Sequence, residues 1–144
     1  MTLRPWKTED ISSIFELEKV CFSDPWSKRM FVDGFSSPYF HGVLIEEDGR
    51  IIAYACQSVL FENAEINNVA VSPAKRKKGL ATRLMDAMEE EAKKRGAEYS
   101  FLEVRSSNEP ALALYKKRGY QPLFVRARYY PDGEDAIVMK KNFE

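Results

Sequence analysis

Val69-Ala70-Val71-Ser72-Pro73-Ala74-Lys75-Arg76-Lys77-Lys78-Gly79-Leu80-Ala81 is an apolar strand that breaks at a proline and restarts, through a basic turn and a glycine, as a helix. The first turn of a helix leaves backbone N–H groups without internal partners and carries a partial positive charge, so this layout makes a seat for phosphate groups. Gly79 has no side chain to hold a bulky polyanion at a distance. The same spacing fits an ordinary strand-to-helix connection in which Lys75, Arg76, Lys77 and Lys78 are merely solvated.

Downstream, Leu80, Leu84, Met85, Met88 and Ala92 form an apolar stripe, and Glu89/Lys93, Glu90/Lys94 and Glu91/Arg95 stand at i,i+4, so the helix runs to Gly96 with its charged face in water. Tyr99 to Arg105 then alternates, with Tyr99, Phe101, Glu103 and Arg105 on one side. The unit from Ile66 through the helix to Val104 is a strand–helix–strand crossover, which makes its two strands parallel and places a ligand at their carboxyl ends.

Upstream, Thr8 reads as an N-cap with Glu9 and Asp10 in the first turn, opening a helix through Ile11, Ile14 and Phe15 to near Cys21. A second short helix follows Ser27, with Met30 and Phe31 inward. Val43–Glu46 and Ile51–Val59 flank Asp48-Gly49, a two-residue hairpin signal, and Glu62-Asn63-Ala64-Glu65 reads as a polar loop. Near the end, Asn108 caps a helix that tolerates Pro110 in its first turn and stops at Gly119.

A chain of 144 residues supports one substantial core and is short for two, so residues 1–144 are expected to form a single domain. The 22 Lys and Arg balance 22 Asp and Glu, which argues against direct binding to nucleic acid. The Lys75–Lys78 run is short and lacks interleaved aromatics, which weakens a nucleic-acid reading further. Cys21 and Cys56 lie in apolar surroundings without metal-like spacing, which favours reduced thiols, no metal site and a cytoplasmic location. The start lacks the apolar run of a signal peptide and no segment approaches the roughly 20 apolar residues of a membrane span, so no membrane association is expected.

Several segments together resemble one family. Arg76-Lys77-Lys78-Gly79-Leu80-Ala81 is similar to the Arg/Gln-x-x-Gly-x-Gly/Ala signature with which GNAT acetyltransferases hold the pyrophosphate of acetyl-CoA. Leu102–Asn108 with Ala113–Tyr120 resembles the second half of that fold. Asp24-Pro25-Trp26-Ser27, Arg128-Tyr129-Tyr130-Pro131 and Glu134-Asp135-Ala136 narrow the resemblance to the RimI-type ribosomal-protein-alanine N-acetyltransferases.

The resemblance implies an α/β (α+β) fold: a mixed sheet of about seven strands with a splayed parallel pair and about four helices. It implies acetyl-CoA as acetyl donor, with Val69, Ala70 and Val71 holding the pantetheine arm. Arg76, Lys77, Lys78, Gly79, Leu80, Ala81 and Thr82 would hold the pyrophosphate, and Asn108 would touch the cofactor. It makes Glu103 the proton acceptor and Tyr115, two turns beyond Asn108, the proton donor to the leaving thiolate. Read without it, Glu103 could equally pair with Arg105 or another cation, and Tyr115 would be a core tyrosine.

Glu65 lies where other members of the superfamily place a base, against a plainer reading as a surface acid. His41 starts the first hairpin, far in sequence from the gap, and reads as structural. Trp26, Tyr129 and Tyr130 could wall a peptide groove, and Glu134 or Asp135 could attract a basic peptide; each could equally be packing or a solvated turn. The implied acceptor is the N-terminal alanine of the eighteenth small-subunit ribosomal protein. A small-molecule amine acetyltransferase and a non-catalytic acetyl-CoA-binding module are the alternatives.

Overall fold

The computed structural model describes residues 1–144. In chain order its elements are β1 (Thr2–Pro5), α1 (Ile11–Cys21), α2 (Lys28–Phe35), β2 (Phe40–Glu47), β3 (Arg50–Leu60), β4 (Asn63–Val71), α3 (Leu80–Lys94), β5 (Tyr99–Arg105), α4 (Glu109–Lys117), β6 (Gln121–Arg126) and β7 (Ala136–Asn142). The seven strands form one sheet in the order β1-β2-β3-β4-β5-β7-β6. Every neighbouring pair is antiparallel except β4 and β5.

Helices cover both faces, as a mixed sheet with two apolar faces requires. Leu80, Leu84, Met85 and Met88 of α3 and Tyr115 of α4 pack on Val43, Ile45, Leu102 and Val104. On the opposite face, Ile11 and Ile14 of α1 and Phe31 of α2 pack on Trp6, Leu44 and Tyr54.

The parallel pair is incomplete. β4 and β5 are in register only at Asn63↔Tyr99, Ala64↔Ser100 and Glu65↔Phe101; beyond these the strands separate. A bulge on β4 sits at the point of separation: Gln57 of β3 pairs with Ile66 and Cys56 with Asn68, leaving Asn67 as the extra residue. A bulge bends its own strand, here away from β5.

Local details differ from the sequence reading. α1 begins three residues after Thr8, behind a 3₁₀ turn (Thr8–Asp10). The Asp10 carboxylate reaches back across the 3₁₀ turn to accept the Lys7 N–H at 2.7 Å and pairs with Arg4 at 2.8 Å, which holds this turn ahead of α1. Ser27 caps α2 through the Met30 N–H, and Phe31 is buried, but Met30 points to solvent. Glu62–Glu65 is not a loop: Asn63 to Glu65 are strand, because both neighbouring strands pair with them.

Gly42 marks a close approach in the β2 layer. The Trp6 indole, which donates to the Val43 carbonyl at 2.9 Å, lies across it, and a Cβ there would fall 2.8 Å from the rings of both Trp6 and Phe40. Those rings are in turn held against Phe31, Tyr54 and Phe35. Gly42→Ala should therefore lower stability by about 1–3 kcal/mol in urea denaturation, as overpacking does.

Candidate active site

Separation of β4 and β5 opens a cleft of about 640 Å³ between them. Ile66, Val69, Leu102, Glu103, Val104, Asn108 and Tyr115 line it, together with Trp26, Tyr129 and Tyr130 from the flanking loops. Glu65 also borders it, on the strand flank where pairing ends.

At one end lies the phosphate seat. Lys77 and Gly79 take left-handed backbone conformations (φ 64° and 76°), which turn the chain into α3. Nothing lies within 4 Å of a Cβ built on Gly79, so glycine is favoured there by its φ as well as by the open approach it leaves. Gly79 offers no capping side chain, and the first N–H bonded back into the helix is that of Arg83, to the Gly79 carbonyl. The amides of Leu80, Ala81 and Thr82 are thus free for an anion. Of the basic turn, Lys75 pairs with Glu47 at 2.7 Å and the Arg76 Nε donates to the Val71 carbonyl at 3.1 Å, while Lys77 and Lys78 stay exposed.

The strand edge beside the seat is open. The Ser72 N–H donates to the Ile52 carbonyl, and Ala70 is in register with Tyr54 of β3. Alternation along the antiparallel ladder then turns the amide groups of Ala70 toward β3 and those of Val69 and Val71 toward the gap. The Arg76 contact occupies the Val71 carbonyl, so the Val69 groups and the Val71 N–H are what the gap exposes.

Alternation on β5 sorts the reactive groups. Leu102 and Val104 are buried against α3 and α4, together with Tyr115, whereas Glu103 and Arg105 face the other side. Glu103 and Tyr115 therefore border one cleft from opposite faces of the sheet. Burial pushes the Tyr115 phenol well above its ordinary range, which keeps it protonated as a donor. Glu103 pairs with Arg126 of β6 at 3.5 Å rather than with Arg105, and its Oε2 is buried without a hydrogen bond. Burial and then the Glu103 charge raise the Tyr129 phenol, and the same two causes push Tyr130 up to about 12.

The Asn108 side chain accepts the Ala111 N–H at 3.2 Å as the cap of α4 while lining the cleft. Glu134 and Asp135 both have hydrogen-bond partners of their own. Hydrogen bonding from Ser107, whose N–H lies at 2.8 Å, and then from Arg105 at 2.9 Å holds the Glu134 carboxyl down at about 2, and Asp135 accepts the Arg128 N–H at 3.0 Å. His41 sits away from the cleft, with its Nδ1 2.9 Å from the Gln57 amide. No three His, Cys, Asp or Glu side chains converge as a metal site, and no helix is long and apolar enough to cross a membrane.

The sequence reading did not single out Glu18. It is 2% exposed and borders the cleft, where it accepts hydrogen bonds from the Tyr54 hydroxyl, the Asn68 amide (2.9 and 3.1 Å) and the Trp26 N–H (2.9 Å). The carboxylate thus ties the α1–α2 loop to the bulged part of β4. A signal existed: Glu18 continues the Ile11/Ile14 stripe, an acid at an apolar position of an amphipathic helix.

A model of the acetyltransferase (GNAT) family matches residues 11–120. The chain belongs to the GNAT family. A Bacillus subtilis relative is 39% identical over 139 residues, 95% of this GNAT chain and 92% of its own length. The [ribosomal protein bS18]-alanine N-acetyltransferase of Escherichia coli is 34% identical over 141 residues, 96% of this chain and 95% of its own. The crystal structure of the ribosomal-protein-S18-alanine N-acetyltransferase from Escherichia coli superposes with a TM-score of 0.91 at 32% identity, covering 98% of this chain and 92% of that one.

Burial raises the Glu18 carboxyl above its ordinary value, against the pull of its hydrogen bonds. A raised value in the folded state contributes stability that is full below the unfolded value and is lost as pH rises through the folded one. Glu18→Gln does not titrate. Urea denaturation from about pH 4 to pH 7 should therefore move the stability difference steadily in favour of the variant, and a difference independent of pH would exclude titration of Glu18 as its source.

Proposed function

We propose that this protein transfers the acetyl group of acetyl-CoA to the N-terminal α-amine of a protein, in a ternary complex and without an acetyl-enzyme. Its likeness to the Escherichia coli enzyme points to the alanine of ribosomal protein bS18 as the acceptor, and with it to the cytoplasm. The observation that carries the reading is the split between β4 and β5, flanked by Glu103 on one face and Tyr115 on the other. Residues 1–144 act as one acetyltransferase domain.

The donor fits the residues present. The free amides of Leu80, Ala81 and Thr82, with Lys77 and Lys78, suit the pyrophosphate, and Arg76 braces the turn through the Val71 carbonyl. The gap-facing amide groups of Val69 and Val71 suit the amides of the pantetheine arm, with Ala70 holding the strand in register and Asn108 at the far wall. Bound acetyl-CoA supplies an activated acyl group and a thiolate leaving group.

Glu103 takes a proton from the incoming ammonium, leaving a neutral nucleophile. Gap-facing N–H groups of β4 polarise the acyl carbonyl. Tyr115, kept protonated by burial, gives its proton to the departing sulfur from the other face, and the second proton, shed by the nitrogen as it becomes an amide, returns the phenol to its protonated form through solvent. Trp26, Tyr129 and Tyr130 form the walls against which the acceptor chain lies, with Glu65 at their inner edge.

Glu103→Gln keeps the shape and removes the base, so turnover should fall by about 10²- to 10⁴-fold with acetyl-CoA affinity nearly unchanged. That defect should shrink as pH rises through the α-amine value of about 8, because free amine then appears without help. The Tyr115→Phe defect should persist across the same range. A near-wild-type Glu103→Gln enzyme beside an inactive Glu65→Gln enzyme would move the base to Glu65.

An α-amine is partly neutral at pH 7, whereas a lysine of value about 10.4 is almost wholly charged. A peptide beginning Ala-Arg should therefore be acetylated at its N-terminus, and the same peptide with a blocked N-terminus and a free lysine should react far more slowly in a mass-spectrometric assay. Faster turnover of polyamines or aminoglycosides than of peptide would favour a small-molecule acetyltransferase.

A further inference from the structure

We propose that Arg105 is a positioning residue for the protein acceptor, a strap that fixes the α1–α2 loop and the β6–β7 loop to each other across the end of β5. The inference rests on the reading of Trp26, Tyr129 and Tyr130 as acceptor walls.

Arg105 is the last residue of β5 and shares the acceptor-side face with Glu103. Its guanidinium makes three charge-assisted hydrogen bonds, and they reach two separate segments. One terminal nitrogen donates to Asp24 at 2.9 Å, in the α1–α2 loop. The other donates to Asp132 at 2.8 Å and to Glu134 at 2.9 Å, in the β6–β7 loop. The plane of the group also lies over the Tyr130 ring, 4.1 Å from its centroid. A single side chain thus sets the position of Tyr130 and joins the loop of Asp24 and Trp26 to the opposite wall.

Each loop is already organised within itself. In the β6–β7 loop, Asp132 accepts the Glu134 N–H at 3.0 Å, the Gly133 N–H donates to the Tyr130 carbonyl at 2.8 Å, and the Tyr130 N–H donates to the Glu134 carbonyl at 3.1 Å. In the α1–α2 loop, Glu18 holds the Trp26 N–H. What these internal contacts do not set is the distance between the two walls, and Arg105 spans it. The planar fork of arginine with its stacking face suits this geometry, and the point charge of lysine does not. The two walls hold the acceptor chain rather than its reacting amine, so a loosened wall weakens acceptor binding and leaves the donor site as it was.

Arg105→Lys and Asp24→Asn test the strap, the second by weakening only the link between the loops. With a peptide beginning Ala-Arg, Arg105→Lys should raise the peptide KM by about 10- to 100-fold, with kcat at saturating peptide and calorimetric acetyl-CoA affinity close to wild type. Asp24→Asn should move the peptide KM in the same direction by less. Hydrogen exchange should quicken in segments 22–27 and 128–135 of the Arg105→Lys protein and stay unchanged in α3. An unchanged peptide KM, a loss confined to kcat, an equal loss of acetyl-CoA affinity, or exchange quickened throughout the chain would each overturn the inference. Failure of the functional reading looks different: the wild-type protein itself would then acetylate no peptide α-amine.

Discussion

Two parallel strands that begin as partners and then part are the constraint on which the rest of this structure depends. β4 and β5 are held together by three residue pairs, and the Asn67 bulge turns β4 away from β5 immediately afterwards. Backbone groups released from a ladder in the middle of a sheet need other partners, and leaving them without any is costly. A cleft with strand edges at its base follows, rigid there because β3 still pairs with β4 and β7 still pairs with β5 along their lengths. In the reading advanced above, the donor's amides meet the exposed edge of β4 as another strand would.

The split also lets one cleft border both faces of the sheet. Side chains at successive β5 positions point in opposite directions, so Leu102 and Val104 belong to the core under α3 and α4 while Glu103 and Arg105 belong to the opposite side. In an unbroken sheet Glu103 and Tyr115 would be screened from each other by a wall of backbone. Here the same cleft touches both, and their surroundings differ accordingly. Tyr115 lies among apolar groups and is held neutral, whereas Glu103 meets a half-exposed arginine and two phenols.

Much of this was legible in the sequence because it is written in local patterns. Alternation in Tyr99–Arg105, the stripe from Leu80 to Ala92, the Asp48-Gly49 turn and the caps at Ser27 and Asn108 are read from neighbours a few residues away, and the structure has them as read. Where the reading failed, a distant partner decides. Asn63–Glu65 is strand because two other strands reach it, and Asp10 belongs to a 3₁₀ turn braced by Arg4 of β1. Met30 faces out because α2 spends its one buried position on Phe31. For Glu134 and Asp135 the sequence left a packed turn and an acceptor-facing acid equally open, because their partners, Arg105 and the Arg128 N–H, are not adjacent in sequence.

Charge at the cleft is correspondingly more restricted than composition suggests. Of the carboxylates that line it, Glu18 is saturated by three neutral donor groups and Asp24 is bound to Arg105. Those two are structural, one beneath the α1–α2 loop and one at its tip, and together they fix the loop from both sides. Glu103 faces Arg126 across 3.5 Å, with Arg126 half exposed, and such a pair holds weakly against water or an incoming cation. Glu65 is exposed at the edge of the gap. In the proposed reading, an ammonium group entering the cleft meets carboxylates beside the gap at Glu103 and Glu65. Asp132 and Glu134 of the turn are bound to Arg105, and the same reading leaves the carboxylates beside the gap for the acceptor.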